Sequence, residues 1–141
     1  GRNGLGIVYV FASGNAYYHG DDTNLKGYTN SRFTISVGAV GKDGIHTYYS
    51  TGGASLFLTA PGGDSEDAKK HIVAQAGGGC TSTQVGTSFA APVVSGVVAL
   101  MLETNPGLGW RDVQGILAES AVPPVRVEED FLHDTPIVNG A

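Results

Sequence analysis

Gly86-Thr87-Ser88-Phe89-Ala90-Ala91-Pro92 places a serine where a glycine-containing loop meets a long apolar segment. If that segment is a helix, Ser88 stands in its first turn. There the leading backbone N–H groups lack intrahelical partners, and the helix dipole adds partial positive charge. Both favour an anion beside the serine hydroxyl, so the chemistry on offer is nucleophilic attack with stabilisation of an oxyanion. Thr87 or Ser88 as a plain N-cap satisfies the same pattern. Gly86 is followed by Thr87 with no lysine, which excludes a Walker A phosphate loop. Position 90 is Ala90, which excludes a Gly-x-Ser-x-Gly nucleophile elbow. A second polar group, Asn15, closes Ala12-Ser13-Gly14-Asn15 after an apolar run. An asparagine at the carboxyl end of a strand can donate its side-chain N–H to an oxyanion. An asparagine after glycine is also a common turn former.

The surrounding elements must bring these residues together. Residues 7–12 are continuously apolar and end at Ser13-Gly14-Asn15, as expected of a parallel strand buried on both faces. Residues 33–40 and 55–60 read as further strands, the latter stopped by Pro61-Gly62-Gly63. Residues 16–30 read as a loop, 64–70 as an exposed polar segment, and 71–75 as a short strand or hairpin arm. The spacing predicts a helix over 88–103, apolar almost all round and therefore buried, with Pro92 tolerated in its first turn. A second helix is expected over 110–120, with Trp110, Val113, Ile116 and Leu117 as its apolar stripe and Pro123-Pro124 as its stop. Strands alternating with helices argue for an α/β fold with a mainly parallel sheet.

The chain has 141 residues, 41% hydrophobic and 15% charged, which is a globular composition for one domain or part of one. A net charge of −5 without a basic cluster argues against nucleic acid as a partner. The apolar runs are short, so no membrane span is expected. Glycine at 22 positions implies many tight turns and close backbone approaches. The single cysteine, Cys80, is either a small buried thiol or half of a bridge to something outside the chain.

In combination, Ser13-Gly14-Asn15 after an apolar strand, Ala60-Pro61-Gly62, and then Gly-Thr-Ser-x-Ala-x-Pro at 86–92 resemble the C-terminal half of the subtilisin family of serine proteases. The resemblance covers residues 1 to about 120. It is strongest to the kexin or proprotein-convertase branch, on Gly1-Arg2 and Gly4-Leu5-Gly6, Gly27-Tyr28-Thr29-Asn30-Ser31, Cys80-Thr81, Leu102 to Pro106, and Trp110-Arg111-Asp112-Val113-Gln114. It implies a three-layer α/β subtilisin-like fold, present in residues 1–141 as its C-terminal portion. It implies a serine endopeptidase acting on protein or peptide substrates, with Ser88 as nucleophile and Asn15 and the Ser88 N–H as oxyanion hole. Ser13, Gly14 and Lys26 would line the substrate pocket. The Asp and His that complete the triad would come from an upstream part of the same chain, so residues 1–141 alone are expected to be inactive. His19, His46, His71 and His133 match no family histidine motif. The family further implies a secreted or secretory-pathway protein, and a cysteine upstream to pair with Cys80. A catalytically inactive subtilisin-fold module that binds peptides or partners is the alternative.

The chain departs from the resemblance in one loop. The branch carries an Asp before Gly-Tyr-Thr that contacts a basic substrate side chain, and this position is Lys26. Asp21 matches a ligand for a structural calcium ion, but the Glu that would join it matches Thr51. Two cysteines that staple this loop in animal relatives match Thr23 and Gly53. The expectation is a retained catalytic core, and a pocket in which Lys26 repels basic side chains unless its long stem carries the ammonium to solvent or Asp21 or Asp22 takes over the acidic role.

Overall fold

The computed structural model describes residues 1–64, 73–74, 77–81 and 83–123. Three parallel strands form the sheet: β1 (Tyr9–Ala12), β2 (Thr34–Val40) and β3 (Leu58–Pro61), in the order β1-β2-β3. Ala12 pairs with Val37, and Val37 with Leu58. β1 therefore ends at the level where β3 begins, while β2 and β3 run on together to Val40 and Pro61, so the loop from Ser13 leaves the sheet before the loop from Gly62. Ile35, Val37 and Ala39 of β2 are fully buried. A central strand covered on both faces needs such β-branched and small residues. A short antiparallel pair, β4 (Val73–Ala74) with β5 (Cys80–Thr81), precedes the first helix. Most of the 64–70 segment, along with His71 and Gln75, lies outside the described residues, as does His133.

Helix α1 (Thr87–Thr104) lies across all three strands of the sheet. Ala90, Val94 and Val98 recur every fourth residue, share one face, and are buried against the sheet. Helix α2 (Trp110–Ser120) adds Val113 and Leu117 to the same core. Asp112 accepts the Gly109 N–H at 2.7 Å and so fixes the start of α2. The N-terminal segment is tied to this end: the Trp110 N–H reaches the Leu5 carbonyl at 3.0 Å, and Phe33 packs on Trp110 with ring centroids 5.2 Å apart. The parallel sheet with packed helices bears out the α/β expectation.

Four expectations need correction. The apolar run at 7–12 is not covered on both faces: β1 is an edge of the described sheet, and Tyr9 is 48% exposed. Helix α1 buries one face only, leaving Leu100 64% exposed, because the sheet offers it a single surface. At 18 residues α1 is also long and apolar enough to cross a membrane by length and composition, contrary to the reading of short runs; its buried stripe rests on the sheet. Pro92 lies in the second turn, so the bond it forgoes is the one the Ser88 carbonyl would accept.

Candidate active site

Gly86 caps α1 with no side chain of its own to satisfy the helix amides. The missing acceptor comes from the end of β1. Asn15 Oδ1 accepts the Thr87 N–H at 2.9 Å and the Thr87 hydroxyl at 2.9 Å. The same hydroxyl oxygen accepts the Gly14 N–H at 3.3 Å. A strand terminus and a helix terminus 72 residues apart are thereby joined through two hydrogen bonds to one oxygen. With Oδ1 engaged, the Asn15 amide nitrogen has no acceptor among the described residues and lies beside the start of α1. Ser88 follows Thr87 directly and is exposed, while Gly86 and Thr87 are buried. Ser88 is thus not the cap, and Asn15 is not a turn residue closed on its own backbone.

The other side of this corner is formed by the turn after β3. Gly86 donates its N–H to the Gly62 carbonyl at 3.0 Å. A methyl group on Gly62 would stand 2.6 Å from Ala39 Cβ and 2.8 Å from the Gly86 carbonyl, so only glycine fits there. Tyr49 donates to the Gly63 carbonyl at 2.6 Å and lies 3.1 Å from that of Gly62. Burial pushes the Tyr49 hydroxyl above its ordinary value of 10.0, which keeps it protonated as a donor. Sequence reasoning missed Tyr49 and read Thr87 only as a plain cap, not as the partner of Asn15. The signal for Thr87 was its hydroxyl at a buried helix start; Tyr49 gave none.

The residues expected to line a substrate pocket gather beside Gly14. Ser13 is fully buried, and its carbonyl accepts the Lys26 ammonium at 3.0 Å. Lys26 also pairs with Asp21. Asp21 accepts the Thr51 hydroxyl at 2.9 Å. The adjacent ammonium holds the Asp21 carboxyl below its ordinary value of 3.8, with the Thr51 hydroxyl adding to the effect. Lys26 has therefore not turned to solvent. Asp22 faces away, accepting the Asn24 N–H at 2.7 Å as the cap of a single helical turn. Positions 23 and 53 lie close together, and in place of a staple Thr23 bonds the residues around Gly53: its N–H reaches the Gly52 carbonyl at 2.9 Å and Ser55 donates to its hydroxyl at 2.8 Å.

Calcium does not fit Asp21. Ca²⁺ takes about six to eight oxygen ligands, and here an ammonium occupies the single carboxylate, with a neutral threonine as its neighbour. Among the described residues no group of three or more His, Cys, Asp or Glu side chains could hold a metal ion. Cys80 is exposed, which excludes the buried-thiol reading. Neither described histidine is directed to Ser88: His19 packs on Tyr18 at 4.1 Å, and His46 bridges to Val40 and meets Tyr17 edge-on at 5.7 Å. A groove of about 580 Å³ between β3, α1 and α2, lined by Val93, Val97, Leu117 and Val122, does not include Ser88 or Asn15.

The subtilase family profile matches residues 1–136. This chain belongs to the subtilase family. Among curated relatives it is 43% identical over 145 residues to kexin of Candida albicans, covering 99% of this chain and 14% of the relative. It is 43% identical over 127 residues to human proprotein convertase subtilisin/kexin type 7, covering 86% of this chain and 16% of the relative. The chain thus spans about a sixth of the length of these relatives. Among solved structures, a protease of Pseudoalteromonas arctica aligns with a TM-score of 0.72 at 27% identity, over 86% of this chain and 40% of that one. The subtilisin-like fold and the kexin-like branch both stand.

Proposed function

We propose that the chain is the nucleophile-bearing part of a serine endopeptidase. Ser88 Oγ attacks the carbonyl carbon of a peptide bond, and its proton passes to a histidine supplied upstream in the same polypeptide. The carbonyl oxygen becomes an oxyanion that accepts hydrogen bonds from the Asn15 amide and the Ser88 N–H. Collapse of the intermediate expels the amine with that proton and leaves an acyl group on Ser88, which water then removes. The reading is carried by the two hydrogen bonds that Thr87 donates to Asn15 Oδ1, which orient the Asn15 amide beside the start of α1. Protein or peptide substrates and a place in the secretory pathway follow from the kexin and proprotein-convertase likeness. Peptide hydrolysis by the full-length protein is expected to be lost in Ser88→Ala; retained hydrolysis would contradict the assignment. Binding without turnover in the unsubstituted protein would favour the inactive-module alternative.

A further inference from the structure

Lys26 is a cation in a cage of oxygens. Its ammonium reaches the Ser13 carbonyl and the Asp21 carboxylate. The same Asp21 oxygen accepts the Thr51 hydroxyl, whose own oxygen accepts the Ala16 N–H at 3.3 Å. The cage lies directly under Gly14. A Cβ on Gly14 would contact the ammonium and stand 2.9 Å from Thr51 Oγ1 and 3.2 Å from Asp21 Oδ2. Gly14 has φ +120, a conformation that favours glycine, and it connects Ser13 to Asn15. Only one residue therefore separates the ion pair from the amide proposed to hold the oxyanion. On the endopeptidase reading, the substrate side chain next to the reacting carbonyl passes close to this ion pair.

We infer that Lys26 is the resident cation of this locus: its ammonium takes the Asp21 carboxylate that a calcium ion would need, and it leaves a charge-neutral pocket floor that selects an uncharged side chain before the scissile bond. The first half rests on the contacts of Lys26 alone. The second half rests also on the endopeptidase reading. An arriving divalent ion would have to displace an ammonium already paired and partly withdrawn from water, and the two cations repel at close range. An arriving Arg or Lys finds the one carboxylate of the cage neutralised and meets the same repulsion. Asp22 offers no substitute, because it caps the turn that begins at Thr23.

The metal half is tested on full-length protein carrying Ser88→Ala, which prevents self-cleavage. Equilibrium dialysis with radioactive calcium compares this protein with its Asp21→Asn derivative. Equal calcium equivalents are expected; loss of one equivalent in a folded Asp21→Asn protein overturns the inference. A readout without the second substitution is acylation of Lys26 by an amine reagent, mapped by mass spectrometry. Slow acylation that calcium does not change is expected, whereas acceleration by calcium means that the metal displaces the ammonium. The selectivity half is tested on active full-length enzyme with a positional-scanning peptide library. Uncharged residues are expected to exceed Arg before the scissile bond, and Lys26→Met is expected to shift the ratio towards Arg by roughly tenfold. Strong Arg selection by the unsubstituted enzyme, or no shift in Lys26→Met, overturns it. If no peptide is cleaved at all, the proposed function fails, while dialysis and acylation still decide the role of Lys26.

Discussion

The corner at Asn15 and Thr87 and the cage at Asp21 and Lys26 share Gly14, yet they are held by different means. The corner is made by a strand end and a helix start. Its bonds involve the backbone N–H groups of Gly14, Gly86 and Thr87, and its clearance depends on glycine at Gly62. The cage is built mainly from side chains that flank the single helical turn at Thr23–Leu25 and from a loop, with one ion pair at its centre. Backbone geometry set by a sheet tolerates few substitutions, whereas a side-chain pair can be exchanged for another that balances its charge. This difference explains how a chain can keep the motif around Ser88 while losing the acidic residue before Gly27, the calcium partner and the cysteines of the neighbouring loop.

The comparison breaks most severely at Gly62. Gly62→Ala puts a methyl group against Ala39 Cβ and the Gly86 carbonyl, neither of which can swing away. We expect a stability loss of about 1–3 kcal/mol, together with loss of Ser88 reactivity, measured by chemical denaturation and by active-site titration of the full-length protein. An equal effect from Asp21→Asn would erase the distinction between corner and cage.

Thr87→Val sharpens it. The branched shape stays, but Asn15 Oδ1 loses one donor and the Gly14 N–H loses its acceptor. The expected result is a fall in kcat of about ten- to a hundredfold with little change in KM, largely restored in Thr87→Ser. Steady-state kinetics decide this. A change in KM alone would place Thr87 on the recognition side.

The smallest expected effect lies outside both regions. Burial lowers the His46 pKa below 6.5, so the folded protein resists a proton that the unfolded chain accepts. This contribution is present above pH 6.5 and is lost as pH falls from 6.5 towards the folded value. Asp21 behaves in the same direction in a lower window, its contribution fading as pH falls below about 3.8. Thermal unfolding of the unsubstituted protein should decline from pH 7.5 to 5.5 more steeply than that of His46→Phe. Parallel curves would mean that His46 is not buried in the full-length protein.

Much of the fold was legible because its pattern is local. Residues 33–40 read as a strand from their β-branched run, and residues 110–120 as a helix from the spacing of Val113 and Leu117. The third strand starts later than residues 55–60 suggested, because Ser55 turns to bond Thr23 and pairing with β2 holds from Leu58. Exposure of β1 and of the outer face of α1 was not legible, since an apolar run does not reveal how many neighbours cover it. At the site, Ser88 stood out by its motif. Asn15 could be a turn residue or an oxyanion donor until its contact with Thr87 joined distant segments. Lys26 was harder still, because a flexible four-carbon stem reaches either solvent or pocket, and only the positions of Ser13 and Asp21 show which.

The central claim is that Ser88 is an activated nucleophile at the start of α1. A fluorophosphonate reagent on full-length protein, with the adduct mapped by mass spectrometry, tests it most directly. The account predicts a single adduct on Ser88, strongly slowed by Asn15→Ala because the phosphonyl oxygen occupies the oxyanion position. No adduct in a folded full-length protein, or an adduct on another serine, would contradict it.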